Sequence, residues 1–199
     1  MSLRNRRQAR QWTDDAALSR RAAVDPSAKE AIYRAHVDAV YRLALRLLDD
    51  PGDAEDAVQE TFIQVFRGLG AYRGESSLRT WIHRITVRTA LRQRKRTRRQ
   101  RPTLMVVRDH GAPGQDTCCD EHRALDAVHA LLQRLSPRRR AVFLLHEVEG
   151  YTLPEAAALL GVSVTAAKKL VWRARRDLDR LVASDPRLCE RIARPRGER

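Results

Sequence analysis

Aromatic residues are scarce in this chain: three Trp, four Tyr and three Phe in 199 residues. Glycine and proline are few as well, at nine and eight. A large β-rich core built on aromatic and β-branched pairs is not expected from such a composition. Leu, Ala and Arg dominate instead, and all three are good helix formers. No window approaches the ~18 apolar residues of a membrane span. Residues 1–28 are charged throughout and lack the apolar core of a signal peptide. A cytoplasmic protein without membrane insertion is therefore expected. Cys118, Cys119 and Cys189 are the only cysteines and do not make a disulfide framework.

Charge is abundant and lopsided. Lys and Arg number 39 against 25 Asp and Glu, a net charge of +14. Clustered positive charge of this size is the footprint of a polyanionic partner. A plainly soluble basic chain is the competing reading, and the clustering speaks against it. From Arg84 to Arg101 there are nine basic residues and no acidic one, whereas residues 49–60 hold six carboxylates and neither Lys nor Arg.

The apolar periods are helical. Residues 1–28, with six Arg and three Asp, read as a basic flexible tail. A first helix is predicted over Lys29–Leu48, with Val37, Val40, Tyr41, Ala44, Leu45 and Leu48 on one face. Pro51-Gly52 reads as a break, and Asp53 as the N-cap of a helix over Ala54–Leu69. That helix buries Ala54, Ala57, Val58, Thr61, Phe62, Val65, Phe66 and Leu69. A glycine-punctuated loop leads to a third helix, Leu78–Arg98, which Ser77 caps. Its core side holds Leu78, Trp81, Ile82, Ile85 and Thr89.

Residues 100–121 hold two Pro, two Gly and no period, and read as a linker able to span ~70 Å at ~3.4 Å per residue. A second helical domain is expected over 122–183, followed by a C-terminal tail over 184–199. Leu125, Val128, Leu132 and Leu135 form one stripe there. Ser136-Pro137 opens the next helix, with Ala141, Val142, Leu145 and Val148 inward. Thr152-Leu-Pro-Glu155 has the form of a capping box, and Gly161 that of a helix C-cap. Ser163 caps a last helix whose inner stripe is Ala167, Leu170, Val171, Ala174, Leu178 and Leu181. The fold expected is all-α: two small helical domains, 29–99 and 122–183, joined by a flexible linker.

A short helix, a glycine turn and a longer helix make a helix-turn-helix at Thr152–Leu181. The outer face of the last helix carries Thr165, Ala166, Lys169, Trp172, Arg173 and Arg176, with Lys168 at its edge. Cationic side chains there can meet guanine edges or phosphates in a major groove. A solvated amphipathic face is the plainer alternative, and the indole of Trp172 among exposed charges weakens it. His110, Cys118, Cys119 and His122 do not have the spacing of a tetrahedral zinc site. His146-Glu147 lacks the second histidine of a zinc hydrolase motif. No nucleophile triad or phosphate-binding loop is present, so neither a metal nor another cofactor is expected, and an enzyme is not expected either.

Two long runs carry a family resemblance. DAEDAVQETFIQVFRGLGAYRGESSLRTWIHRITVRTALRQR, from Asp53 to Arg94, resembles region two of the extracytoplasmic-function (ECF) group of bacterial RNA polymerase sigma factors. LSPRRRAVFLLHEVEGYTLPEAAALLGVSVTAAKKLVWRARRDLDRL resembles region four of the same group. The resemblance implies a factor that binds core RNA polymerase and directs promoter-specific initiation. It implies docking on the clamp helices of the largest subunit through Asp53, Glu55, Asp56, Gln59 and Glu60, with Phe62 near the contact. It implies capture of an unstacked base of the –10 element by Tyr72, Arg73, Gly74, Glu75, Ser76, Ser77 and Arg79. Arg84, Arg88 and Arg92 would hold the non-template strand. Contacts to the –35 element fall on Lys168, Lys169, Trp172 and Arg173, beside Thr165 and Arg176. The flap region of polymerase and an anti-sigma factor are further partners that the resemblance implies. Leu170 stands where the family commonly has Arg, and Lys169 where it commonly has a small polar residue, so the –35 preference is not transferable. A stand-alone helix-turn-helix regulator that dimerises on a palindrome would need a dimer face or ligand pocket, and neither is visible; a non-specific nucleic-acid-binding structural protein would leave the acidic helix without work.

Overall fold

Two proline-started helices meeting at a two-residue corner organise the first half of the molecule. The computed structural model describes residues 15–100 and 128–184, except Ala23 and His129. Among these residues the regular structure is entirely helical. The chain divides into two compact units that part near Arg96.

In the first unit, α1 spans Pro26–Leu48, α2 spans Pro51–Gly68 and α3 spans Leu78–Gln100. Pro26 and Pro51 both sit at the start of their helices, where the missing N–H is no loss. Asp25 and Asp50 cap them, accepting from Ser27 N at 2.8 Å and Asp53 N at 3.0 Å. The N-cap of α2 is therefore Asp50 rather than Asp53, and Pro51 begins a helix rather than breaking one. Asp49 closes α1 in the left-handed region, φ 69°, a conformation that a short polar residue tolerates. Nη1 of the Arg94 guanidinium donates to Leu47 O at 2.6 Å and to Asp49 Oδ2 at 3.1 Å. That bond anchors the basic end of α3 on the α1–α2 corner.

The inner stripe of α2 is as its period predicts, with Phe66 half-buried. In α1 the buried set is Ala28, Ile32, Val40, Leu43, Ala44, Leu47 and Leu48, while Val37, Tyr41 and Leu45 are half-buried. Apolar residues crowd the last turns of α1 on several sides, so the period there fits more than one stripe. In α3, His83, Thr86, Val87 and Ala90 join Leu78, Ile82 and Thr89 in the core.

The N-terminal boundary differs most from expectation. Residues 15–22 are helical, and Ser19 and Ala22 are fully buried, so the flexible tail assigned to 1–28 is contradicted over 15–22, while residues 1–14 lie outside the described residues. Eight residues hold barely two turns, too few to show a period among so many charges. The linker assigned to 100–121 and the tail after 184 lie outside the described residues, as do His110, Cys118, Cys119 and His122.

In the second unit, α4 spans Pro137–Phe143 and continues through a π-helical turn, Leu144–Val148; α5 spans Leu153–Leu160 and α6 spans Val164–Ser184. Glu149 N donates to Leu144 O at 2.9 Å, the i to i+5 bond of that turn. The extra residue advances the helix surface, so Leu144 is buried and Val148 is left 48% exposed. Ser136 occupies the N-cap of α4 without a capping bond from its side chain. Arg140 is wholly buried and donates from Nε to Leu132 O at 2.8 Å, tying α4 to the helical turn before it.

Candidate nucleic-acid and polymerase interfaces

The helix-turn-helix is fixed locally by its caps. Thr152 N donates to Glu155 Oε2 at 2.9 Å, and Glu155 N donates to Thr152 Oγ1 at 3.4 Å. This is the reciprocal capping box, a motif in which one cap residue is worth ~1 kcal/mol. Gly161 turns the chain at φ 66°, and Ala166 N donates to Ser163 Oγ at 3.2 Å to start α6. Ala167, Val171 and Ala174 are buried, with Leu170, Leu178 and Leu181 half-buried.

The opposite face of α6 is as expected: Thr165, Lys168, Lys169, Trp172, Arg173 and Arg176 are all exposed. Trp172 is 59% exposed, and the Arg176 guanidinium carbon lies 5.2 Å from its ring centroid. The pair presents one flat cationic surface. Arg175 turns aside to Glu147, at 2.5 Å, and Arg139 pairs with Asp177. Those two bridges hold α6 to α4 and its π-helical turn, leaving the outer cations for a ligand.

In the first unit, the loop between α2 and α3 begins with a 3₁₀ turn, Leu69–Ala71. Tyr72 OH donates across the loop to Ser76 O at 2.5 Å, and Gly74 takes φ 71° at its tip. Beneath lies a cavity of about 240 Å³ lined by Ala71, Tyr72, Arg73, Glu75, Ser76, Trp81 and Arg84. Five of the residues assigned to the –10 element thus share one wall: Tyr72, Arg73, Glu75, Ser76 and Arg84. Ser77 and Arg79 do not line it. Ser77 Oγ accepts from Thr80 N at 3.1 Å as the α3 cap, and Arg79 is exposed.

Trp81 was expected in the core, and it stands instead half-buried at the cavity edge, its ring 5.4 Å from that of Tyr72. Its place on the apolar stripe could not reveal this, because the cavity is made by the loop folding over it. Arg84 Nε is buried with no hydrogen-bond partner among the described residues. Burial, and then the negative charge of Asp15, push the Tyr72 hydroxyl up to about 12, so it remains a donor at neutral pH. Arg88 and Arg92 follow Arg84 at four-residue spacing along α3 and are exposed. Under the same helix His83 is buried, and desolvation, aided by Arg79 and His36, lowers it to about 4.

On α2, Glu55, Asp56, Gln59 and Glu60 are exposed. Asp53 is partly covered, its backbone and side-chain oxygens accepting from Gln93 Nε2 at 2.9 and 3.3 Å. Phe62 is not part of this face. It is 3% exposed and packs edge-on against Tyr33 at 4.7 Å, because its position on the α2 stripe points it at α1. Ile63 takes the surface place, 45% exposed, one turn beyond Gln59 and Glu60. An apolar residue off the buried stripe and one turn past the acidic run is the signal for it.

Residues 32–100 match the family model for Sigma-70 region 2, and residues 125–178 match that for Sigma-70, region 4. Over 170 residues the chain is 31% identical to ECF RNA polymerase sigma factor SigM of Mycobacterium tuberculosis, covering 85% of each. The chain belongs to the ECF RNA polymerase sigma factors. This sigma factor is also 35% identical over 153 residues to ECF RNA polymerase sigma factor SigE of Mycolicibacterium smegmatis, across 75% of this chain and 59% of that relative, less than two thirds of its length. Among solved structures it resembles CnrH in complex with the cytosolic domain of CnrY, with a TM-score of 0.64 at 25% identity over 86% of this chain and 98% of that one. It shares the fold of sigma factor RpoE, solved with the anti-sigma factor NepR from Bartonella quintana, at a TM-score of 0.62 and 23% identity over 78% of this chain and 97% of that one. Among the described residues no helix is long and apolar enough to cross a membrane, and no group of three or more His, Cys, Asp or Glu could hold a metal ion.

Proposed function

We propose that this ECF sigma factor reads a promoter at two points while docked on core RNA polymerase. The cavity under the α2–α3 loop carries the reading. A tyrosine and a tryptophan offer π faces, Arg73 and Arg84 offer donors, Glu75 offers an acceptor, and a cationic helix leads away from it. A base pulled out of the duplex loses a few kcal/mol of stacking, which such a pocket and groove can offset. Arg84, Arg88 and Arg92 would track the phosphates of the non-template strand beyond the captured base. Melting is then driven by binding alone, without a catalytic step or a cofactor.

Asp56, Gln59, Glu60 and Ile63 would meet the clamp helices of the largest polymerase subunit, with Glu55 and Asp53 beside them. Thr165, Lys168, Lys169, Trp172, Arg173 and Arg176 would enter the major groove of the –35 element, with the flap region against the same unit. An anti-sigma factor would compete for these faces. Polymerase and promoter place the working protein in the cytoplasm.

Run-off transcription with purified core enzyme on a pool of promoters from the source genome tests the whole reading, and no transcript above core alone would sink it. Asp56→Lys with Glu60→Lys tests docking. Core affinity should fall at least tenfold, while thermal stability should move by no more than ~0.5 kcal/mol, as for other surface changes. Unchanged core affinity would remove α2 from the interface.

A further inference from the structure

We propose that the helical segment 15–22 is a clamp that holds the –10 loop in its base-accepting shape, with Asp15 and Ser19 as its positioning residues. The inference rests on the –10 reading of the cavity given above. The segment reaches both ends of the loop. Ser19 Oγ, fully buried, donates to Leu69 O at 2.9 Å, where the loop begins. Leu78 N, where α3 resumes, donates to Asp15 Oδ2 at 2.8 Å. Asp15 and Ser19 are four residues apart and so lie on one face of their helix. One rigid turn therefore fixes the entry and the exit of the loop that forms the cavity wall.

The two bonds differ from packing. Ala22, also fully buried, is what a segment that merely covers apolar surface presents. Asp15 and Ser19 are polar and bond main-chain groups at the two ends of the loop. Leu69 O already accepts from Tyr72 N at 3.2 Å, so Ser19 braces the very carbonyl that sets the direction of Tyr72. Asp15 supplies an anion to the N-terminus of α3, beside the Ser77 cap. A loop held at both ends loses less freedom when a base enters, and pre-organisation of this kind shows in affinity and in discrimination between ligands.

The test uses the full chain reconstituted with core polymerase. Asp15→Ala, Ser19→Ala, Asp15→Asn and Ser19→Thr are compared with the parent on a promoter pool randomised through the –10 element. Permanganate reactivity reports opening, and sequencing of the bound fraction reports base preference. Each alanine variant should lower the open fraction about fivefold, the ratio that matches ~1 kcal/mol for one capping bond. The preference for the captured base should shrink by a similar factor. Affinity for core should be unchanged. Asn keeps a side-chain acceptor and Thr keeps the hydroxyl, so both should recover most of the loss.

Parent-like opening and base preference in both alanine variants would overturn the clamp. So would reduced opening that tracks a lower melting temperature while base preference stays intact, since that pattern belongs to general stability. If Asp15→Ala does not fold, Ser19→Ala against Ser19→Thr decides. Tyr72→Ala and Arg84→Ala separate this inference from the reading beneath it. Loss of opening in those two with none in the clamp variants rejects only the clamp, while no loss in any of them rejects the –10 assignment itself.

Discussion

Gly68 lies against the edge of the Trp81 indole so closely that a Cβ there would sit 3.1 Å from Cζ2 and 3.3 Å from Cη2. Gly68 has φ –94° and ψ –6°, which alanine accepts, so its role is space and not backbone freedom. Trp81 borders the cavity and has room to yield in that direction.

Gly68→Ala should therefore act on promoter opening more than on stability. The alanine gains ~0.5–1 kcal/mol of helix propensity and loses a similar amount to crowding, so the melting transition should move by less than ~1 kcal/mol. The displaced indole narrows the base site, and the open fraction should fall several-fold. Differential scanning calorimetry with permanganate footprinting checks both halves. A variant that melts earlier and opens promoters normally would show that Trp81 is simply core.

His83 sets a pH dependence of stability. Its native value of about 4 lies below the ~6.5 of an unfolded histidine. Below pH ~6.5 the unfolded chain takes a proton that the native site refuses, so stability falls with acid from pH ~6.5 to ~4 and levels off beneath. The loss should reach about 2 kcal/mol by pH 5. His36 is also lowered, chiefly by burial, and adds in the same direction. Urea titrations between pH 7 and 5 measure the slope. His83→Asn should flatten most of it, and an unchanged slope would place its origin elsewhere.

Strand holding by α3 predicts a salt signature. Arg88 and Arg92 are exposed at one-turn spacing, and each phosphate contact contributes ~0.7 to the slope of log K against log salt for single strands. Replacing both by Ala should lower the slope for a non-template-strand oligonucleotide on holoenzyme by ~1.4. The base preference at the captured position should be untouched. An unchanged slope would take these arginines off the strand.

Trp172 and Arg176 should behave as one unit in –35 binding. A double-mutant cycle with Trp172→Ala and Arg176→Ala, read as duplex affinity, should show a coupling of ~0.5–1 kcal/mol, the size of an exposed cation–π contact. Strict additivity would mean that the stack does not survive on DNA.

The sequence made some of this legible and hid the rest for identifiable reasons. The α2 stripe, the Thr152–Glu155 capping box and the outer face of α6 follow from periods and short-range bonding rules, and each is where those rules put it. Phe62 was misplaced because a family role was laid over a residue whose own period pointed it inward at Tyr33. Trp81 shows the reverse. Its period was read correctly, but a helix stripe does not record that a loop will leave a cavity over it. Asp15 and Ser19 carry no local signature at all, because their partners Leu78 and Leu69 lie 63 and 50 residues away, respectively.

The π-helical turn at Leu144–Val148 amounts to a stored insertion. A chain one residue shorter there could close the same stretch as ordinary α-helix. The wide turn takes up the extra residue, so the change would fall on Leu144–Val148 and leave the direction of the chain behind Gly150 as it is. Relatives that differ by a single residue at this point should share the aim of α6 and differ in which side chain, Val148 here, is turned outward on the helix behind it.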